Sequence, residues 1–176
     1  GVLPQNRDLA FLTEGTPEFD TYIEALNWAQ HFALLNRAEM MDRVVDQFER
    51  WLGVKVQRTE DVACHHNYTE HKVIDGVPTW LSRKGAINAE SGRLGLIPGS
   101  MGDRSYVVRG LGNPESFSSA PHGAGRVHSR GSAKRTFTRE DLNGRMEGIV
   151  WGESDAFLDE HPEAYKAIDV VMRDAG

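Results

Sequence analysis

Apolar residues recur at helical spacing over the first third of the chain. Phe19, Tyr22, Leu26, Ala29, Ala33, Met40, Val44, Phe48 and Trp51 fall three, four or seven residues apart, a period that puts them on one side of a long helix. Thr16-Pro17-Glu18 reads as its start. Thr16 serves as N-cap, Pro17 takes the first helical position, and Glu18 complements the helix dipole. Gly53 is the expected stop, one break near Asn36 is allowed, and the stripe reads as core packing. From about Lys55 the pattern changes. Fourteen of the 18 glycines lie between Gly76 and Gly152, which predicts loops and short strands. Val73–Leu81 alternates around Asp75-Gly76, a hairpin signal. Leu94–Pro98 and Ser105–Arg109 are further strands. Helices are expected over His128–Phe137, from a cap at Thr138-Arg139-Glu140-Asp141, and over Pro162–Arg173. No repeat or low-complexity linker divides the chain. The fold class is α+β: an opening helix, a glycine-rich mixed β region and closing helices.

Composition narrows the picture. At 176 residues the chain is long enough for a real core. No apolar run approaches the ~20 residues of a membrane span, so no membrane partner is expected. The single cysteine, Cys64, excludes an internal disulfide and suits a reducing, cytoplasmic compartment; it reads as buried and inert. A net charge of −6 argues against binding nucleic acid over the whole surface. The charge is uneven, however. Ser116 to Arg139 contains no acidic residue but carries Arg126, Arg130, Lys134, Arg135 and Arg139. Such a run is either a solvated helix face or a local polyanion site.

Three segments carry candidate chemistry. In Pro121-His122-Gly123-Ala124-Gly125-Arg126 the glycines remove bulk and permit positive φ, so backbone N–H groups can converge on an anion. An imidazole beside them is able to bind that anion or attack it. Arg126, Arg130 and Lys134 are spaced by four and would share a face suited to successive phosphates. His65-His66-Asn67 offers an imidazole for Zn, Mn, Fe or Ni. Adjacent histidines in a strand point oppositely, and one core plus one surface histidine is the plainer reading. Pro98-Gly99-Ser100-Met101-Gly102, followed by Asp103-Arg104-Ser105-Tyr106, lacks the Walker ending. It is a β-turn or a loop that hydrogen-bonds phosphate or a purine edge. Together the three suggest phosphoryl or nucleotidyl transfer. No Gly-x-Ser-x-Gly elbow supports a serine triad.

These blocks resemble those of the RtcB family, the GTP- and manganese-dependent RNA-splicing ligases. The resemblance runs through Leu3-Pro4, Trp28-Ala29-Gln30, Asn36-Arg37, His66-Asn67, Arg83-Lys84-Gly85-Ala86, Pro98–Gly102, Ser105-Tyr106, His122–Arg126 and Ala164–Asp169, in family order. It implies an incomplete RtcB-like fold and an enzyme that seals a 2′,3′-cyclic-phosphate or 3′-phosphate RNA end to a 5′-hydroxyl end. His122 matches the histidine that takes GMP from GTP. His66 matches a manganese ligand and Asn67 a nucleotide contact. Pro98, Gly99, Ser100, Met101 and Ser105 match the guanylate loop, and Gly123, Ala124 and Gly125 the phosphate cradle. Tyr165 matches a residue that stacks on guanine, and Arg126 and Arg130 match RNA-phosphate contacts. The implied partners are RNA ends (tRNA halves or other cleaved RNA) and guanine nucleotide, and the need for an activating protein stays open. The family's other metal ligands, an Asp, a Cys and two histidines, precede the matched region, and its guanine-reading lysine follows it. The chain therefore reads as the C-terminal part of a single ligase domain, inactive alone. The alternative is a truncated relative that only binds guanine nucleotide or RNA ends.

Overall fold

The computed structural model describes residues 10–176, so the Leu3-Pro4 match lies outside the described residues. The chain divides into two compact units, 10–61 with Tyr68–Ser82, and Val62–Asn67 with Arg83–Gly176.

The first unit is built on α1, Pro17–Leu52. The Thr16 side chain accepts a hydrogen bond from Phe19 N, Pro17 leads, and Gly53 closes the helix at φ 73°. Its N–H donates to Glu49 O. The caps follow the sequence signals, and no break occurs at Asn36, because that position carries neither proline nor glycine to interrupt the ladder. Against α1 lies a hairpin, β1 (Asn67–Ile74) and β2 (Val77–Lys84). Asp75 and Gly76 have φ of 50° and 80°, the two positive values a tight primed turn needs. Trp80 meets Phe19 edge to face at 5.7 Å, and Gln30 Nε2 donates to Thr69 O. One expectation fails. No residue of α1 is buried. The half-covered positions are Phe19, Ile23, Leu26, Gln30, Ala33, Arg37, Val45 and Glu49. Tyr22, Met40, Val44, Phe48 and Trp51 are exposed. The helix is apolar on more than one side, and a two-stranded hairpin covers only one of them.

The second unit holds two further ribbons. β3 (Ala86–Asn88) pairs antiparallel with β6 (Ser119–Pro121), setting Ala86 opposite Pro121. β4 (Leu94–Pro98) pairs with β5 (Ser105–Arg109), on the boundaries read from the sequence. Three short helices follow: α2 (Arg130–Thr136), α3 (Arg139–Arg145) and α4 (Ile168–Ala175). Thr138 and Asp141 form the expected capping box. α2 starts two residues later than expected, at a Ser129 cap. The helix expected over Pro162–Arg173 is split: Tyr165 is extended at φ −112°, ψ 158° because it bridges to Arg126 in antiparallel fashion. The core is Ile87, Ile97, Ala124 and Ile168, with Cys64, Tyr106, Val108, Ala120, Tyr165, Val171 and Met172 packed on it. Cys64 is half-buried there rather than fully enclosed. No helix among the described residues is long and apolar enough to cross a membrane.

Candidate active site

His122 follows directly on β6, and the second unit brings all three candidate segments to it. The His66 ring stacks on the His122 ring with centroids 5.2 Å apart and planes 8° off parallel. Both residues are exposed, so a ligand has access to them. The Pro98 loop joins from the other side. Pro98 O accepts from Ala124 N at 3.0 Å, and a Cβ on Gly123 would sit 3.2 Å from that oxygen. Glycine at position 123 is therefore a matter of space, whereas Gly125 at φ 73° supplies the left-handed backbone. The run does not abut a helix start, since α2 begins at Arg130. Its N–H groups, not a helix dipole, are what it offers an anion.

The Pro98 loop is an internally satisfied turn. Ser100 Oγ donates to Asp103 Oδ2 at 2.6 Å and accepts from Gly102 N at 3.2 Å. A Cβ on Gly99 would lie 2.8 Å from Arg104 O, and one on Gly102 would lie 2.8 Å from Pro162 Cγ. Ser100 is buried, Met101 half-buried and Ser105 exposed. Tyr106 Oη donates to Asp169 Oδ1 at 2.7 Å, and this bond raises its phenol above the ordinary value.

Two arrangements were not readable from the sequence. Arg83 is 4% exposed and donates to Ser119 Oγ at 2.9 Å and Phe117 O at 3.0 Å. Phe117 and Ser118 both have positive φ, 51° and 50°, a strain of order 1 kcal/mol each. The guanidinium holds that strained entry into β6, and so the strand that leads into His122. Gly85, at φ 68°, accepts through its carbonyl from His122 Nδ1 at 2.6 Å. The Arg83-Lys84-Gly85-Ala86 block was a visible signal for both, but carried no role.

The basic face meets a partner the sequence did not reveal. Arg126 donates to His128 O at 3.0 Å, Tyr165 Oη at 2.7 Å and Asp159 O, and lies 4.6 Å over the Tyr165 ring. Arg130 pairs with Asp159 at 3.0 Å and Glu160 at 3.2 Å, and Lys134 with Asp159 at 3.6 Å. Burial works against ionisation of Asp159, but Lys134 and Arg130 outweigh it and hold the carboxyl below its usual range. Burial, with the bond to Glu160, raises the Tyr165 phenol. Arg126 is thus committed to internal contacts, while the Arg130 side chain stays 72% exposed. Tyr165 lies close to the glycine run: Lys166 N donates to Gly125 O at 2.9 Å.

A groove of about 720 Å3, lined among others by Ile97, Leu111, Ala120, Val170 and Met172, includes neither His122 nor His66 in its walls. The exposed His122 and His66 side chains therefore lie outside that groove.

Comparison with known proteins agrees with these motifs. The family model described as "tRNA-splicing ligase RtcB" matches residues 2–176. The RNA-splicing ligase RtcB of Escherichia coli K12 is 45% identical over 172 residues, which is 95% of this chain and 42% of that protein. The tRNA-splicing ligase RtcB of Aeropyrum pernix is 35% identical over 202 residues, covering 98% of this chain and 41% of its own length. The Mycobacterium tuberculosis RNA-splicing ligase RtcB is 33% identical over 192 residues, covering 98% and 44%. The chain spans less than half the length of these relatives.

Proposed function

The chain belongs to the RtcB family, and from that premise we propose that it supplies the histidine-bearing part of a GTP- and manganese-dependent RNA ligase. The observation that carries this reading is the convergence of His122, the His66 ring, the Gly123–Gly125 run and the Pro98 loop in one exposed place. On this reading an imidazole nitrogen of His122 attacks the α-phosphorus of GTP. An N–P bond forms, the bond to the bridging oxygen breaks, and pyrophosphate leaves with its electron pair. The GMP then passes to an RNA 3′-phosphate, and a 5′-hydroxyl displaces it to seal the strand. N–H groups about Gly123 and Gly125 face the phosphate as charge builds on its oxygens. Pro98, Gly99, Ser100, Met101 and Ser105 frame the guanylate, and Asn67 and Tyr165 border it. Arg130 is the better placed of the two arginines to reach RNA phosphate, since Arg126 is held by Tyr165, Glu160 and Asp159. A cytoplasmic setting and RNA-end partners belong to the same proposal.

The donors present do not fit a manganese ion by themselves. Among the described residues no group of three or more His, Cys, Asp or Glu side chains converges for a metal, whereas a bound transition ion takes several such ligands. His66 would give one, and the rest would come from the portion of the relatives that this chain does not span. On this proposal the 176 residues alone do not turn over.

The test supplies that portion. The chain, mixed with the unmatched segment of the Escherichia coli relative, α-labelled GTP and manganese, is expected to become covalently labelled, and His122→Ala is expected to abolish the label. Label that survives His122→Ala overturns the nucleophile. The incomplete metal set favours one second reading, a guanylate- or RNA-end-binding relative. It predicts GMP binding to the wild type with no label under any of these conditions.

A further inference from the structure

Gly85 has no assigned part in the chemistry, yet its carbonyl makes the closest polar contact to the His122 ring. The oxygen lies 2.6 Å from Nδ1 and 3.3 Å from the His122 main-chain N. One carbonyl therefore grips both the backbone and the ring of the same residue. A carbonyl only accepts, so the ring nitrogen facing it must carry the hydrogen. In the neutral imidazole that leaves the lone pair on Nε2.

The backbone that carries this carbonyl is held by its neighbours. Gly85 N donates to His66 O at 2.8 Å and to Asn67 Oδ1 at 3.0 Å. The next residue, Ala86, is in register with Pro121, the residue before His122. Arg83, two residues earlier, holds Phe117 ahead of that strand and Ser119 at its start. The backbone at Gly85 has φ 68°, and a Cβ there would approach His122 Cε1 to 3.3 Å and Nδ1 to 3.4 Å. A side chain would both strain the backbone and press on the ring. His66 meanwhile covers one face of the imidazole at 5.2 Å, which restrains its tilt but not its rotation within the plane. Among the described residues, the Gly85 oxygen is the hydrogen-bond partner that sets that rotation.

We infer that Gly85 is a positioning residue: its carbonyl fixes His122 as the Nδ1–H tautomer and turns Nε2 outward as the one nitrogen able to attack. This rests on the reading of His122 as the nucleophile. It adds a residue with no side chain to the reaction, acting through the ring it orients. A histidine side chain free in water prefers the hydrogen on Nε2, so the carbonyl reverses the intrinsic preference. Loss of the contact returns the reactive lone pair to the wrong nitrogen for part of the population and lets the ring swing.

The tautomer is read directly by long-range 1H–15N correlation of the 15N-labelled 176-residue chain at alkaline pH, where imidazoles are neutral. The His122 signals are assigned by their loss in His122→Gln. Expected are a protonated-type shift at Nδ1 and an unprotonated-type shift at Nε2. Gly85→Ala should move both towards the averaged values of a free imidazole. Gly92→Ala, with a comparable φ of 80° and nothing within 4 Å of its Cβ, should leave them unchanged. In the labelling assay with the Escherichia coli segment, Gly85→Ala should slow adduct formation by about 10²-fold, the scale of a misplaced reacting group. A wild-type ring protonated on Nε2, or equal changes in the two alanine variants, overturns the inference, and the wild-type spectrum decides even where Gly85→Ala does not fold. Label surviving in His122→Ala with the expected tautomer removes the nucleophile reading while the geometry stands, so the two failures are distinct.

Discussion

The two units differ in where their order comes from. The first, α1 with the β1–β2 hairpin, obeys local rules throughout: a capped start, a continuous helical period, a left-handed stop and an Asp-Gly turn. Yet α1 has no buried residue, and Trp28, Met40, Val44 and Trp51 are 70, 59, 59 and 78% exposed. The second unit breaks local rules at several points, with three-residue strands, two consecutive left-handed non-glycine residues and an interrupted final helix. It nevertheless holds the core and the candidate chemistry. The contrast teaches that periodicity specifies an element but not its partner. Isolated patches of apolar surface are ordinary, but a contiguous stripe marks an interaction face.

The sharpest way to break this comparison is a cavity in the second unit. Ile97 is 1% exposed and sits in the core cluster with Ile87, Ala124 and Ile168. Ile97→Ala should cost about 2–5 kcal/mol, read as loss of hydrogen-exchange protection at the β4–β5 amides in a urea series. Protection in α1 should change far less. Equal loss in both would show that the units unfold as one, and the distinction drawn between them would fall.

The same contrast explains what was legible beforehand. Thr16, Gly53, Asp75-Gly76, Leu94–Pro98 and the Thr138 box are signals carried within a few residues of where they act. β3 and β6 are three residues each and include Asn88, Ser119 and Pro121, which have no strand pattern to read. They exist because residues more than 30 positions apart pair. Tyr165 leaves the helical path for the same reason, through its bridge to Arg126. At the site, the three motifs were visible because side chains and glycines announce them. The Gly85 oxygen was not, since a main-chain carbonyl leaves no mark on composition. The basic face was visible, but Asp159 and Glu160, which occupy much of it, lie some 30 positions away in a segment with no pattern tying it to α2.

Acid should also separate the units, with an effect bounded at about 1.4 kcal/mol per pH unit for one proton. His161, in the second unit, is 1% exposed, stacks on Phe137 at 4.0 Å, and accepts from Glu163 N through Nδ1. Burial lowers its pKa from the ordinary value of 6.5. Below pH 6.5 the unfolded chain takes up a proton that the folded one resists, so stability falls as the pH drops through that value. Glu163 and Asp141, lowered by hydrogen bonds from Arg145 and Thr138 respectively, add to the loss only below about pH 4.5. His161→Phe should remove the upper part of the dependence, seen in urea midpoints followed at the β4–β5 amides. A profile unchanged by that substitution would mean the imidazole reaches water.

The smallest expected effect is the most discriminating for the first unit. Met40 belongs to the apolar stripe that the periodicity assigns to a core, and it is 59% exposed. A side chain that already faces water in the folded state gains little from folding, so Met40→Gln should shift stability by no more than about 0.5 kcal/mol. Glutamine matches methionine in length and nearly in helix propensity, and it forgoes a weak hydrogen bond that Asn36 Nδ2 donates to the Met40 sulfur at 3.8 Å, so burial is the main variable. The α1 amides report it by hydrogen exchange. If the substitution instead costs more than about 1 kcal/mol, the stripe is covered in solution, the periodicity was right about burial, and the contrast between a locally written unit and a tertiary one loses its basis.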